Sequence, residues 1–94
     1  MKVGNAIREI RKSKQMTQQQ LAKICGITQA SLSAIENGGR PGEDTLRAIA
    51  KALGISVSLL YVMSLDREDV PQEKAVVYDK LFPVIKGLIF DLAQ

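Results

Sequence analysis

Apolar residues recur along this chain at steps of three and four, and no stretch alternates with a period of two, so the pattern predicts helices and no strands. Val3, Ile7 and Ile10 mark a first helix that runs to about Ser13. Thr17 with Gln20 three residues later forms a T-x-x-Q capping box, which starts a second helix expected to bury Leu21, Ala22, Ile24 and Cys25. Gly26 then suits the left-handed turn past a helix end. Thr28 caps a third helix that Asn37-Gly38 stops. After the loop "GRPGED", Leu46, Ile49, Ala50 and Leu53 predict a fourth helix ended by Gly54, and Ser56 caps a fifth, "VSLLYVM".

The remaining third behaves differently. "SLDREDVP" is a polar, acidic break in which Asp66 or Asp69 can cap and Pro71 can occupy a first turn. Beyond it, Tyr78, Leu81, Ile85, Leu88 and Leu92 take the spacing of a helix that packs on another helix, and Val77, Phe82, Val84, Ile89 and Phe90 widen the stripe. Pro83 is expected to kink or divide that helix near Phe82. The fold class is all-α: a five-helix unit over residues 1–64, a linker over 65–72, and a C-terminal helical segment over 73–94.

Composition narrows the chemistry. Ninety-four residues favour one domain that folds without metal or disulfide staples. Cys25 is the only cysteine and histidine is absent, so one chain assembles no disulfide, no Cys/His zinc cluster and no histidine acid/base pair. Cys25 reads as a buried structural thiol, and no cofactor or metal is implied. The start, "MKVGNAIREI", lacks the apolar run of a signal peptide, and "VIKGLIF" falls short of the ~20 residues of a membrane span, so a cytoplasmic protein without membrane contact is expected. The net charge of +3 is unevenly spread: residues 1–40 carry +5, 41–65 carry none and 66–94 carry −2. Any surface for a polyanion therefore belongs to the first half.

From Gln18 to Ile35, a small Ala22, a turn-forming Gly26 and the apolar contacts Leu21, Cys25, Ile27, Leu32 and Ile35 describe two short helices locked at a corner, a helix-turn-helix. Together, "TQQQLAKICGITQASLSAIENG" and "DTLRAIAKALGIS" closely resemble the phage repressor/Cro type of helix-turn-helix, the XRE family, over about residues 4–64. The resemblance implies that the third helix enters a DNA major groove, with Gln29, Ala30, Ser33 and Ala34 facing the bases. A groove about 12 Å wide admits a helix only where outward side chains allow close approach, and these are small. Gln29 matches the family's base-contacting glutamine, whose amide pairs with adenine N6 and N7, while Ala30 and Ala34 offer methyl groups to thymine where many relatives carry Gln, Arg or Lys. Thr17, Gln18, Thr28, Ser31, Asn37 and Arg40 are the implied phosphate contacts, with Gln18 also bracing the reading glutamine and Arg8, Lys12, Lys14 and Lys23 as further neutralisers. Arg11 and Glu36 match positions that form a partly buried structural ion pair.

The C-terminal stripe is wider than one seam, so part of it is expected to meet a partner, with Tyr78, Leu81, Phe82, Ile85, Leu88, Ile89 and Leu92 as the dimerisation residues. Two reading helices about one DNA turn apart, ~34 Å, would engage a palindromic operator. The expected function is sequence-specific binding of double-stranded operator DNA as a homodimeric transcriptional regulator, a repressor, without catalysis. The alternatives are an antitoxin that spends the same C-terminal surface on a cognate toxin, and a helical adaptor that binds only protein.

Overall fold

Three hydroxyl side chains decide where helices begin. The Oγ atoms of Thr17, Thr28 and Ser56 accept the backbone N–H of Gln20, Ser31 and Leu59 at 3.0, 3.0 and 3.1 Å, replacing carbonyls that a first turn lacks. At Thr17 the box is reciprocal, since the Gln20 side chain accepts the Thr17 N–H at 2.8 Å. The computed structural model describes all residues, Met1–Gln94. Its helices are α1 (Val3–Ser13), α2 (Gln18–Cys25), α3 (Gln29–Glu36), α4 (Glu43–Leu53), α5 (Val57–Met63) and α6 (Ala75–Ala93), with 3₁₀ turns at Arg67–Asp69 and Gln72–Lys74 between the last two. There is no strand, and no single helix is long and apolar enough to cross a membrane.

One core gathers side chains from every helix. Ile7 and Ile10 of α1, Leu21 of α2, Leu32 of α3, Ile49 and Leu53 of α4 and Leu60 of α5 are fully buried, and Ile89 and Ala93 of α6 join the same cluster. Truncating such a leucine to alanine costs about 2–5 kcal/mol. Gly26, at φ 71°, turns the chain between α2 and α3, and the N–H groups of Gly26 and Ile27 return to the carbonyls of Lys23 and Ala22. That tight return leaves α3 one short step from α2.

The structure corrects four expectations. Ile24 is 63% exposed, because on α2 it points about 110° away from the centre of the Leu21, Ala22 and Cys25 face. Cys25 itself is half-buried, and burial pushes its thiol pKa up, keeping it protonated and inert. Pro83 does not divide the C-terminal helix, which runs unbroken through it. Pro83 is exposed, so the Asp79 carbonyl it leaves without a helical partner faces water rather than apolar packing. Among the seven expected dimer contacts, Phe82 and Ile89 face this chain's own interior at 5% and 1% exposure. The three-and-four spacing placed them in the stripe but could not say which of its edges folds back.

The stretch expected as a linker is tied to the start of the chain. Lys2 pairs with Asp66 at 3.1 Å, the Lys2 N–H donates to the Ser64 carbonyl at 3.0 Å, and Tyr78 Oη donates to the Leu65 carbonyl at 3.2 Å. Farther along α6, Lys86 pairs with Glu9 at 2.9 Å and Lys14 Nζ donates to the Ala93 carbonyl at the helix end. The C-terminal half of α6 is thereby held on α1.

Where α1 crosses the end of α3, Gly4 is buried, and a Cβ there would stand 2.2 Å from the Ile35 carbonyl oxygen and 2.9 Å from that of Glu36. Backbone cannot yield as a flexible side chain does. Gly4→Ala is therefore expected to destabilise the chain by about 2 kcal/mol, strain outweighing the gain in helix propensity. Urea unfolding reads this directly; an unchanged midpoint would mean that α1 and α3 can separate freely.

Candidate nucleic-acid interface

A carboxylate without water needs partners, and Glu36, at 1% exposure, has four donors. Arg11 grips it bidentately, Nε to Oε2 at 2.8 Å and Nη2 to Oε1 at 2.9 Å, while Gln18 Nε2 donates to Oε1 at 3.1 Å and Arg8 Nε at 3.4 Å. Arg11 Nη1 donates to the Met16 carbonyl at 2.8 Å, fixing the turn that leads into α2. Burial pushes the Glu36 pKa up, but the hydrogen bonds from Arg11, Gln18 and Arg8 and the charge of Arg11 outweigh it and hold it below the ordinary 4.5. The network joins α1, the first turn of α2 and the last turn of α3.

On the far side of α3 lies a small, uncharged surface. Gln29, Ala30 and Ala34 are exposed, Ser33 is half-buried, and the Gln29 amide bonds to nothing in the chain. Arg8 Nη2 donates to the Glu36 carbonyl at 3.0 Å and to Asn37 Oδ1 at 2.8 Å. Asn37 Nδ2 in turn donates to Ser33 Oγ at 3.4 Å, a long and weak bond. Ser33 Oγ keeps its hydroxyl hydrogen and a second lone pair to offer outward. The N–H groups of Gly38 and Gly39 return to the Ile35 and Ala34 carbonyls, so the chain leaves α3 in a fixed direction toward Arg40.

Around this face the expected anion contacts divide. Thr17 and Thr28 act as helix caps, and Thr28 Oγ1 also donates to Ser31 Oγ at 2.9 Å. The backbone N–H groups of Gln18 and Gln19 have no acceptor in the chain and open the positive end of α2 to solvent. Lys12, Lys23 and Arg40 are exposed and take no part in any ion pair. Arg8 and Lys14, expected as neutralisers, are instead engaged inside the fold, the first with Glu36 and Asn37 and the second with the end of α6. Gln18, expected to brace Gln29, donates to Glu36. The role of Arg8 had one sequence signal: it stands three residues before Arg11, on the same face of a helix.

An exposed helix face of small side chains and a neighbouring helix start with free N–H groups, in a chain that also carries exposed unpaired cations, can meet a grooved polyanion at close range. Residues 7–60 match the helix-turn-helix family. Over 79 residues the chain is 38% identical to an uncharacterized HTH-type transcriptional regulator of Mycobacterium tuberculosis, covering 83% of this chain and 55% of that one. It is 43% identical over 61 residues to the immunity repressor protein of Bacillus phage phi105, covering 64% of this chain and 42% of the repressor. It is also similar to the competence pilus inhibition repressor of Acinetobacter baylyi, 32% identical over 95 residues, covering 100% of this chain and 84% of that one. The chain thus spans about half the length of the first two relatives and most of the third. No solved structure matches it.

Glu36 gives this frame a pH dependence whose sign follows from its lowered pKa. The stabilisation is fully present above the unfolded value near 4.5 and is lost as pH falls through the lower folded value. Glu36→Ala, which leaves the Arg11 guanidinium buried and unpaired, is expected to lose about 3–5 kcal/mol at pH 7. Its unfolding free energy should depend less on pH below 4.5 than that of the unaltered chain, as measured by denaturant titrations between pH 3 and 7.

Proposed function

The chain belongs to the helix-turn-helix family of DNA-binding transcriptional regulators, and from that premise we propose that it represses transcription as a homodimer on a two-fold related operator in duplex DNA. Residues 1–64 form the DNA-binding unit, 65–72 join it to the tail, and 73–94 carry dimerisation. One observation supports the reading above others. The outward face of α3 is small and its Gln29 amide is free of internal bonds, while Glu36 behind it fixes the helix to α1 and α2.

In this reading α3 enters the major groove with its first turn toward the base edges. Gln29 pairs with adenine N6 and N7, and the methyl groups of Ala30 and Ala34 meet thymine methyls, which together favour an A·T-leaning half-site. Ser33 donates its hydroxyl hydrogen to a base acceptor. Thr17, Gln18, Thr28, Ser31, Asn37 and Arg40 flank the strands, and the free N–H groups at the start of α2 receive one phosphate. Occupied operator blocks the polymerase, and the names of the two repressors among the relatives agree with that sign of regulation.

Selection of bound duplexes from a random library tests this reading. Enrichment of a palindromic site with adenine at a fixed position is expected, and Gln29→Ala should flatten the preference there at a cost of about 1–3 kcal/mol. Arg40→Ala should reduce the slope of log affinity against log salt by about one and leave base preference unchanged. A library that returns unenriched from the native chain would overturn the proposal.

A further inference from the structure

Seven large apolar residues of α6 remain between 39% and 70% exposed: Val76, Val77, Leu81, Val84, Ile85, Leu88 and Leu92. At about 100° per residue Val76 lies about 130° off, while the other six fall within about 50° of one line along the helix. Their order is symmetric about the midpoint between Val84 and Ile85. Phe82, Ile89 and Ala93 point to one flank of that line, into the chain's own interior. Lys80 and Asp91 lie on the other flank, exposed and without an ion-pair partner in the chain. Core contacts, the Lys86 to Glu9 pair and the Lys14 bond to the Ala93 carbonyl fix the rotation of α6, so the stripe is presented in one orientation.

We propose that this stripe pairs with itself in a second copy of the chain, the two α6 helices running antiparallel about a two-fold axis at the Val84–Ile85 midpoint. A two-fold interface requires that if one residue meets another, the second meets the first. The symmetric order satisfies this: Val77 faces the partner's Leu92, Leu81 the partner's Leu88, and Val84 the partner's Ile85. Lys80 then comes within about 3 Å, measured along the helix axis, of the partner's Asp91, giving two complementary charge pairs on one flank. Antiparallel pairing also puts both helix-turn-helix units on the same side of the helix pair. A parallel pair would put them on opposite sides and bring Lys80 toward the partner's inner, apolar flank.

This inference rests on the homodimer reading, and the experiment separates the two. In a Cys25→Ser background, chains carrying Leu81→Cys are mixed with chains carrying Leu88→Cys and mildly oxidised, alongside light-scattering measurement of mass for the unaltered chain. A dimer mass with the mixed 81-to-88 disulfide, and little disulfide from Leu81→Cys alone, is expected. Self-linked Leu81→Cys at dimer mass would overturn the antiparallel register and leave the homodimer standing. A monomer at micromolar concentration would overturn both. Lys80→Glu should weaken dimerisation about tenfold, and adding Asp91→Lys in the same chain should restore it; failure of that restoration counts against the register.

Discussion

The buried carboxylate of Glu36 is the constraint on which the arrangement of the first three helices depends. An ionised group at that depth is tolerated only if both its oxygens are well bonded, and the donors come from α1 and α2. Packing of Leu21, Leu32 and Ile10 alone would bring the helices together with some freedom of rotation. The bidentate Arg11 contact removes that freedom at the end of α3, and Gly4 allows α1 to lie directly on the same carbonyls. Orientation of the outward face thus comes from polar geometry inside, added to a core that supplies most of the stability.

This arrangement changes how the charge of the chain is read. The +5 of the first forty residues suggests an evenly cationic surface, yet Arg8, Arg11, Lys2 and Lys14 are each occupied with an acid or a carbonyl of the same chain. Lys12, Lys23 and Arg40 are the cations of that half left for an external anion. In the proposed reading, attraction to a polyanion is consequently left to few side chains together with the positive end of α2, and α3 needs none of it. The acids of the later segments are partly absorbed too, Asp66 by Lys2 and Asp79 by Arg67.

Local signals were legible and long-range ones were partly so. Thr17, Thr28 and Ser56 begin helices because capping depends on neighbours three residues away, which a sequence displays openly. The pattern at Arg11 and Glu36 was visible through the family resemblance, whereas the part played by Arg8 was not, since an arginine on a helix surface looks the same whether it meets solvent or a carbonyl from another element. Ile24 shows the limit of hydrophobicity as a guide, being apolar and exposed. In α6 the spacing fixed the period, but two apolar edges compete there. Only the positions of α1 and α5 decide that Phe82 and Ile89 turn inward while Leu81 and Leu88 turn out.

The freedom of the α3 face has an evolutionary consequence. Gln29, Ala30 and Ala34 are exposed, and the one side-chain amide among them has no partner in the chain, so replacing them costs the fold little. The residues that hold α3 in place lie on its opposite side. Mutational drift can therefore explore new outward faces on an unchanged scaffold. With this face as the proposed reader of DNA, divergence of recognition among descendants of this chain need not pass through unstable intermediates.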